Sequence, residues 1–364
     1  MWGMRGRAPW FSALALIWVL AGCASIGPPT IKRDRTDYSS AMANSWKEMQ
    51  LLNIVKFRYF DPPVFLDVPS VVSQQELYGQ ADVSARLFSH PLKNVASGQP
   101  FYNLDALGRY TDRPTVSYTP ITGDRFINIL LRPIPPATIL SMIDTGHDAS
   151  FILRMAVSSI NGLHNYSLGP ERAHAEDPRF RELVAALRRL QRAGAMAART
   201  KQVDNKPVTT AYFRRHANLA VERDISLVRS LLGLDPRRNE FTVTGEPRHT
   251  PDEIAIESRS MQQILVELAA GVQVPTDDVA QRRATRVPAI AEDQEAGPLI
   301  HIYCGPAQPA DAYAAVFYRD RWFWINDNDL LSKRVFMFLM IFYALSETRA
   351  VPQAPIVTIS ASGR

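Results

Sequence analysis

Residues 313–345, "YAAVFYRDRWFWINDNDLLSKRVFMFLMIFYAL", decide the architecture. Two apolar arms, Tyr313–Tyr318 and Arg321–Ile325, flank Arg319-Asp320, which is the layout of a β-hairpin even though the central pair lacks the Asn-Gly signature. Side chains alternate along a strand, so Trp322 and Trp324 share one face while Phe323 and Ile325 share the other. Both faces are apolar, which predicts a central strand covered on both sides. Directly behind the hairpin, Val335–Leu345 is apolar at every position. It is too short for the roughly 20 residues of a membrane span, and a helix apolar on nearly every side belongs in a core. A hairpin that runs straight into a buried helix, predicted from about Leu330 to Leu345, argues for a sheet with helices laid on it.

Working outward, the same kinds of pattern recur without regular strand–helix alternation or an internal repeat. A helix is expected from about Ser39 to Tyr59, where Met42, Trp46, Met49, Leu52 and Val55 recur every three to four residues and Pro62-Pro63 end it. Val64, Leu66 and Val68 open a strand, and a second extended run follows over about 75–87. Residues 88–113, with Pro91, Gly98, Pro100 and Gly108, read as a long loop, and 115–119 as a strand. Helices are then expected near 124–132, 136–145 and 149–161, the last capped by Asp148 and stopped by Gly162. "DPRFRELVAALRRLQRAG" (177–194) is the clearest helix of the middle region. Asp177 caps it, Pro178 takes the first turn, Gly194 ends it, and Phe180, Leu183, Val184, Leu187 and Leu190 form one stripe. A helix near 220–232 stops at Gly233; strands fall at 241–244, 254–256 and 299–303; Ser260 with Gln263 forms a capping box opening a helix to about Ala270. Residues 275–297 read as a loop and 356–359 as a last strand. The fold class predicted is α+β, with a mainly antiparallel sheet covered by helices.

Local motifs for chemistry are few. The chain lacks a G-x-S-x-G, H-E-x-x-H or Walker-type loop, and its seven histidines show no metal-ligand spacing, so neither a catalytic set nor a metal or other cofactor is expected. His301 and Cys304 lie on opposite faces of the expected strand, which disfavours a Cys/His nucleophile and favours a buried, inert thiol. "NDNDLLSKR" (326–334) fails as a calcium loop because Ser332 stands where the sixth-position glycine belongs when Asp327 is first. It matches the OmpA-like peptidoglycan-binding signature only at Asn328, Leu331 and Ser332, since Arg334 falls one residue early. An acidic helix cap is the better reading of these residues. Between Arg179 and Arg215 stand ten Lys/Arg and two acids, Glu182 and Asp204. On the 178–192 helix, Arg181, Arg188 and Arg192 lie off the apolar stripe, a solvated basic face or a contact for anionic lipid or glycan.

The N-terminus supplies the strongest address. Arg5 and Arg7 precede a twelve-residue apolar run, Trp10–Ala21, that is too short to span a bilayer and has the order of a secretory signal. Leu20-Ala21-Gly22-Cys23 resembles the lipobox of bacterial lipoproteins. The resemblance implies cleavage after residue 22, acylation of Cys23 and, with Ala24 instead of aspartate following, transfer to the periplasmic face of the outer membrane. Two or more acyl chains anchor a protein stably where one does so only marginally. On this reading residues 1–22 are a signal peptide, 23–37 a polar, Pro-containing tether, and 38–364 a single domain, its alternative being two subdomains meeting near 135–165. The 46% hydrophobic and 21% charged residues suit a folded chain with a sizeable core. Loss of the two signal arginines lowers the formal charge from +5 to +3, and an anchor outside the inner membrane makes nucleic acid an inaccessible partner. Acylation would consume one of the two cysteines and so preclude an internal disulfide.

The pattern "DAYAAVFYRDRWFWINDNDLLSKRVFMFLMIFYAL" together with "RSMQQILVELA" (259–269) also resembles an uncharacterised family of bacterial envelope proteins, over most of the mature chain. That likeness implies a coherent fold and no particular chemistry. The function expected is a non-enzymatic binding or envelope-assembly role, with envelope proteins as partners. The alternative is a membrane-tethered envelope hydrolase whose catalytic residues are dispersed in sequence. A deep pocket of convergent polar groups with shifted pKa values would separate the two.

Overall fold

The computed structural model describes residues 28–72, 75–86, 101–112, 115–169, 173–214, 218–247, 250–286 and 298–347. Cys23 and the strand expected at 356–359 lie outside the described residues. The chain divides into two compact units, Val64–Gly123 and the remainder. The division therefore falls at Pro63/Val64 and Gly123/Asp124, not near 135–165.

The larger unit opens with α1 (Pro28–Arg58), which begins inside the stretch expected to be a tether. Pro28 and Pro29 stand in its first turn, where the missing N–H groups have no helical partner to lose. The smaller unit consists of β1 (Leu66–Val72), β2 (Gln75–Arg86), β3 (Phe101–Asp112) and β4 (Thr115–Pro120). Here β1 pairs antiparallel with β4, and β2 with β3 from Gln75↔Asp112 to Arg86↔Phe101. A strand at Phe101–Asp112 corrects the expected loop: Gly108 sits opposite Gly79, and two small residues facing one another leave no turn signal to obey.

The larger unit resumes at Asp124 within α2 (Gly123–Phe126), which runs into a π-helical turn, Ile127–Leu131, followed by α3 (Pro136–Asp144) and α4 (Ala149–Ala156). Asp148 caps α4 as expected, its carboxylate accepting from Phe151 N at 3.0 Å. The helix ends at Ala156, five residues before the expected stop, and becomes β5 (Val157–Ile160), which turns through Asn161-Gly162 into β6 (Leu163–His164). Both turn residues have positive φ, 45° and 76°, the conformation of a two-residue type I′ hairpin. Gly162 serves that turn, not a helix C-terminus. Next come α5 (Pro178–Arg192), β7 (Met196–Val203), β8 (Lys206–Phe213), α6 (Leu219–Leu232), β9 (Glu240–Thr244) and β10 (Glu253–Ser258). The β7–β8 hairpin has no counterpart in the sequence reading.

These strands form one six-stranded sheet in the order β6-β5-β10-β9-β8-β7, antiparallel throughout except for the β9/β10 pair. After α7 (Met261–Ala269), which carries the expected Ser260/Gln263 capping box, and the short α8 (Thr276–Ala280) inside the expected 275–297 loop, a second sheet is built from β11 (Tyr303–Gly305), β12 (Ala312–Tyr318) and β13 (Arg321–Asn326) in the order β11-β13-β12. Gly271 makes the approach to it possible: a Cβ there would lie 2.1 Å from the Ile300 carbonyl oxygen. The fold is α+β, a mixed and mostly antiparallel sheet with helices packed on it.

α9 (Leu330–Glu347) buries Val335, Phe336, Phe338, Leu339 and Phe342 almost completely. Trp46 of α1 packs edge-on to Phe336 and Tyr343 at 6.4 and 6.3 Å. Met337 and Met340 nevertheless remain nearly half exposed, so α9 has an outer stripe and is not buried on every side. No helix among the described residues is long and apolar enough to cross a membrane. On β13 the inner pair, Phe323 and Ile325, is fully buried. Trp322 and Trp324 are only half-buried, against Phe317 and Tyr303, so the strand is central but covered fully on one face alone.

Candidate functional site

A cleft of about 970 Å³ opens in the larger unit where the C-terminal end of β10, the N-terminal half of α7, the β5–β6 hairpin and the C-terminus of α1 meet. Its size is at the upper end of the roughly 300–1,000 Å³ typical of small-molecule sites. The local sequence dictates the meeting. The tight Asn161-Gly162 turn sends the chain back along β5 and delivers Asn165, Tyr166 and Ser167 beside α7. Asn161 also fixes this hairpin to its neighbours, donating to Leu232 O at 2.7 Å and accepting from Ala255 N at 2.7 Å.

The floor is a set of buried polar side chains tied to the backbone. Asn165 donates to the carbonyls of Arg154 and Val157 at 2.9 and 2.7 Å and accepts from Tyr166 N at 2.9 Å. Arg259, 3% exposed, donates to the carbonyls of Arg154, Met155 and Tyr166. The Arg259 guanidinium also lies over the Tyr166 ring at 5.3 Å, with Arg154 at 5.6 Å. Burial pushes the Tyr166 phenol above its ordinary range, which keeps it neutral between two cations. Glu267, also buried, accepts from Ser167 Oγ at 2.8 Å and Leu168 N at 2.6 Å. Ser158 Oγ donates to Glu257 O at 2.8 Å. Charge inside a low-dielectric floor is costly unless hydrogen-bonded, and here each charged group is answered by framework dipoles.

The walls differ from the floor. Phe57 and Phe60 come from the end of α1, Pro133–Pro136 from the connection into α3, and Val266 from α7. Gln262 and Gln263 stand exposed one turn before Val266, and His164 and His174 meet edge-on at 6.0 Å. Gln263 Oε1 accepts from Ser260 N at 2.8 Å in the capping box, but neither its Nε2 nor the Gln262 amide donates to any described residue.

The residues singled out in the sequence lie elsewhere. Arg181 pairs with Glu176 at 2.8 Å, and Arg188 Nε lies 2.8 Å from Asp148, while the neighbouring Arg189 makes a bidentate pair with Asp224. Among the described residues only Arg192 of the three is exposed without such a carboxylate, so much of this helix's basic face is neutralised locally. Cys304 is half-buried in register with Phe323, and burial pushes its thiol up, away from the thiolate. Asp329 caps α9, accepting from Ser332 N at 3.0 Å and from Ser332 Oγ at 2.6 Å, the cap expected of that acidic segment. Among the described residues no group of three His, Cys, Asp or Glu is placed to hold a metal ion.

Sequence reasoning missed the cleft because it ran a helix through residues 157–161. The signal was there: Asn-Gly between short apolar runs is the strongest local hairpin mark. Arg259, immediately before a capping box, was the other clue, since a cation at the mouth of a helix N-terminus opposes the dipole and needs a reason to stay. No known family, curated protein or solved structure matches the chain.

Proposed function

We propose that the chain is a bacterial lipoprotein, acylated at Cys23 on the periplasmic face of the outer membrane, and that it acts there as a binding protein whose ligand seat is the α7/β10 cleft. The address rests on the order of charge, short apolar run and Leu20-Ala21-Gly22-Cys23. The binding role rests on one observation, the use to which the charged groups of the cleft's floor are put. Arg259 and Glu267 spend their hydrogen bonds on the framework, and Ser158 donates to a carbonyl instead of to a base. A serine nucleophile needs an adjacent base, and the Ser158 proton goes to the Glu257 carbonyl instead. A rigid, satisfied floor under open walls is what a preformed receptor requires.

Intact mass spectrometry on the protein extracted from its native host tests both parts. The mature chain should begin at Cys23 with added acyl mass, and a bare thiol would overturn the anchor. Under native conditions the wild type should carry a small-molecule mass that Val266→Trp, which plugs the cleft, loses. Equal loads on both would overturn the cleft as the seat. Release of a cleaved product from envelope material would replace this reading by the hydrolase.

A further inference from the structure

Resting on the cleft as a ligand seat, we propose that its ligand is an uncharged saccharide, stacked by its apolar face on Phe60 and hydrogen-bonded through its hydroxyls to Gln262 and Gln263. The argument starts from a backbone outlier. Phe60 has φ of 56° and is 66% exposed. It occupies the left-handed position that closes α1: Asp61 N bonds Lys56 O at 3.0 Å across it, the six-to-one bond of a Schellman cap. Glycine fits that position without strain, whereas a bulky aromatic there is rare. The ring does not repay the strain by burial. What it does is wall the cleft beside Phe57, opposite α7. A strained, exposed aromatic at the edge of a cavity is a feature that function explains better than stability does.

The rest of the lining selects the class of ligand. An anion would find the Arg259 guanidinium already committed to three carbonyls and the carboxylates Glu257 and Glu267 in the lining. An acyl chain would cover the Gln262 amide, Gln263 Nε2 and the Ser258 hydroxyl and offer them nothing to bond, a cost of roughly 1–3 kcal/mol for each polar group. A cation would meet Arg259 across the floor. A neutral molecule with one apolar face and many hydroxyls satisfies the ring, the prolines, the Gln262 amide and Gln263 Nε2 together. Amides that can both donate and accept suit hydroxyls, which do the same.

Phe60→Gly separates a recognition role from a structural one, because it removes the ring while supplying the residue the backbone prefers. The experiment is calorimetric titration of detergent-solubilised, full-length mature protein with chitotetraose and cellotetraose, alongside thermal unfolding. We expect saturable binding of at least one of them, weakened about tenfold by Phe60→Gly at an unchanged or higher Tm, and retained by Phe60→Tyr. Gln262→Ala should weaken binding several-fold, again at constant Tm. A drop in Tm for Phe60→Gly with unchanged binding would overturn the stacking role. If neither sugar binds and the mass lost in Val266→Trp proves to be a lipid, the saccharide assignment is overturned while the ligand seat stands. If no mass depends on Val266, both fall.

Discussion

The β12–β13 and β7–β8 hairpins have the same turn, and different surroundings make it. Each loop has two residues, Arg319-Asp320 between Tyr318↔Arg321 and Asp204-Asn205 between Val203↔Lys206. All four loop residues have φ between 48° and 61°, without a glycine among them. Asp and Asn tolerate the left-handed region by local hydrogen bonding, which accounts for the second turn. The first contains an arginine, and it is held from outside. Arg319 pairs with Asp61 at 2.8 Å and stacks over the Tyr59 ring at 4.8 Å, while the Tyr318 hydroxyl donates to the same carboxylate. Tyr59 in turn donates to Asp278 at 2.9 Å, so the tip of β12–β13 is bound to α1 and α8. The tip of β7–β8 is exposed, with Val203 49% accessible. One turn is imposed by tertiary contacts and the other is written locally.

That contrast predicts very different costs for emptying the two hairpins. Phe323 of β13 is 0% exposed and packs on Tyr59 at 6.2 Å, so Phe323→Ala should cost about 3–5 kcal/mol of unfolding free energy in urea titration. Val203→Ala at the end of β7 should stay within about 0.5 kcal/mol. Comparable losses would mean that the β7–β8 tip is covered in solution and that the contrast is wrong.

The same difference governs what could be read in advance. β13 alternates Trp-Phe-Trp-Ile because Phe323 and Ile325 enter the core while Trp322 and Trp324 lie against Phe317 and Tyr303 of the neighbouring strands, and its hairpin with the helix behind it was legible to within a residue or two. From Arg199 to Val203, β7 is exposed on both faces, and "RTKQV" carries no period that an apolar count can detect. Sequence located the basic residues of that region but not the carboxylates that meet them, because Glu176, Asp148 and Asp224 come from other elements. The cleft escaped for a related reason. Its floor is held by side chain to carbonyl bonds such as Arg259 to Tyr166, and a carbonyl has no sequence signature. Phe60 was hidden too, since its φ is a consequence of how α1 ends.

Asp61 offers a test of the outside hold that pH can switch. The Tyr318 hydroxyl, and then Arg319, keep its carboxyl below the ordinary carboxylate range. A depressed folded pKa contributes stability that is present above the unfolded value of about 4 and is lost as pH falls through the folded value. Asp61→Asn should therefore lower Tm near neutral pH, by the equivalent of about 1 kcal/mol or less because the pair is partly exposed to solvent. The gap between variant and wild type should close as pH is taken from about 6 to below 3. A gap independent of pH would show that shape at the tip matters and the charge does not.

The smallest effect is the sharpest test of which turn is local. Asn205→Gly creates Asp-Gly, the favoured type I′ pair, in a hairpin whose register depends on that turn, and should stabilise it by a few tenths of a kcal/mol. Hydrogen exchange at the Val203 and Lys206 amides would report the gain as slower opening. Asp320→Gly makes the corresponding change where Asp61, Tyr59 and Asp278 already fix the loop. There glycine adds freedom to the unfolded chain without improving a register that is set elsewhere, so Tm should stay level or fall slightly. Equal gains at the two positions would mean that Arg319-Asp320 strains its turn as much as any unsupported loop does, and that the contacts to Asp61 follow from the turn instead of holding it.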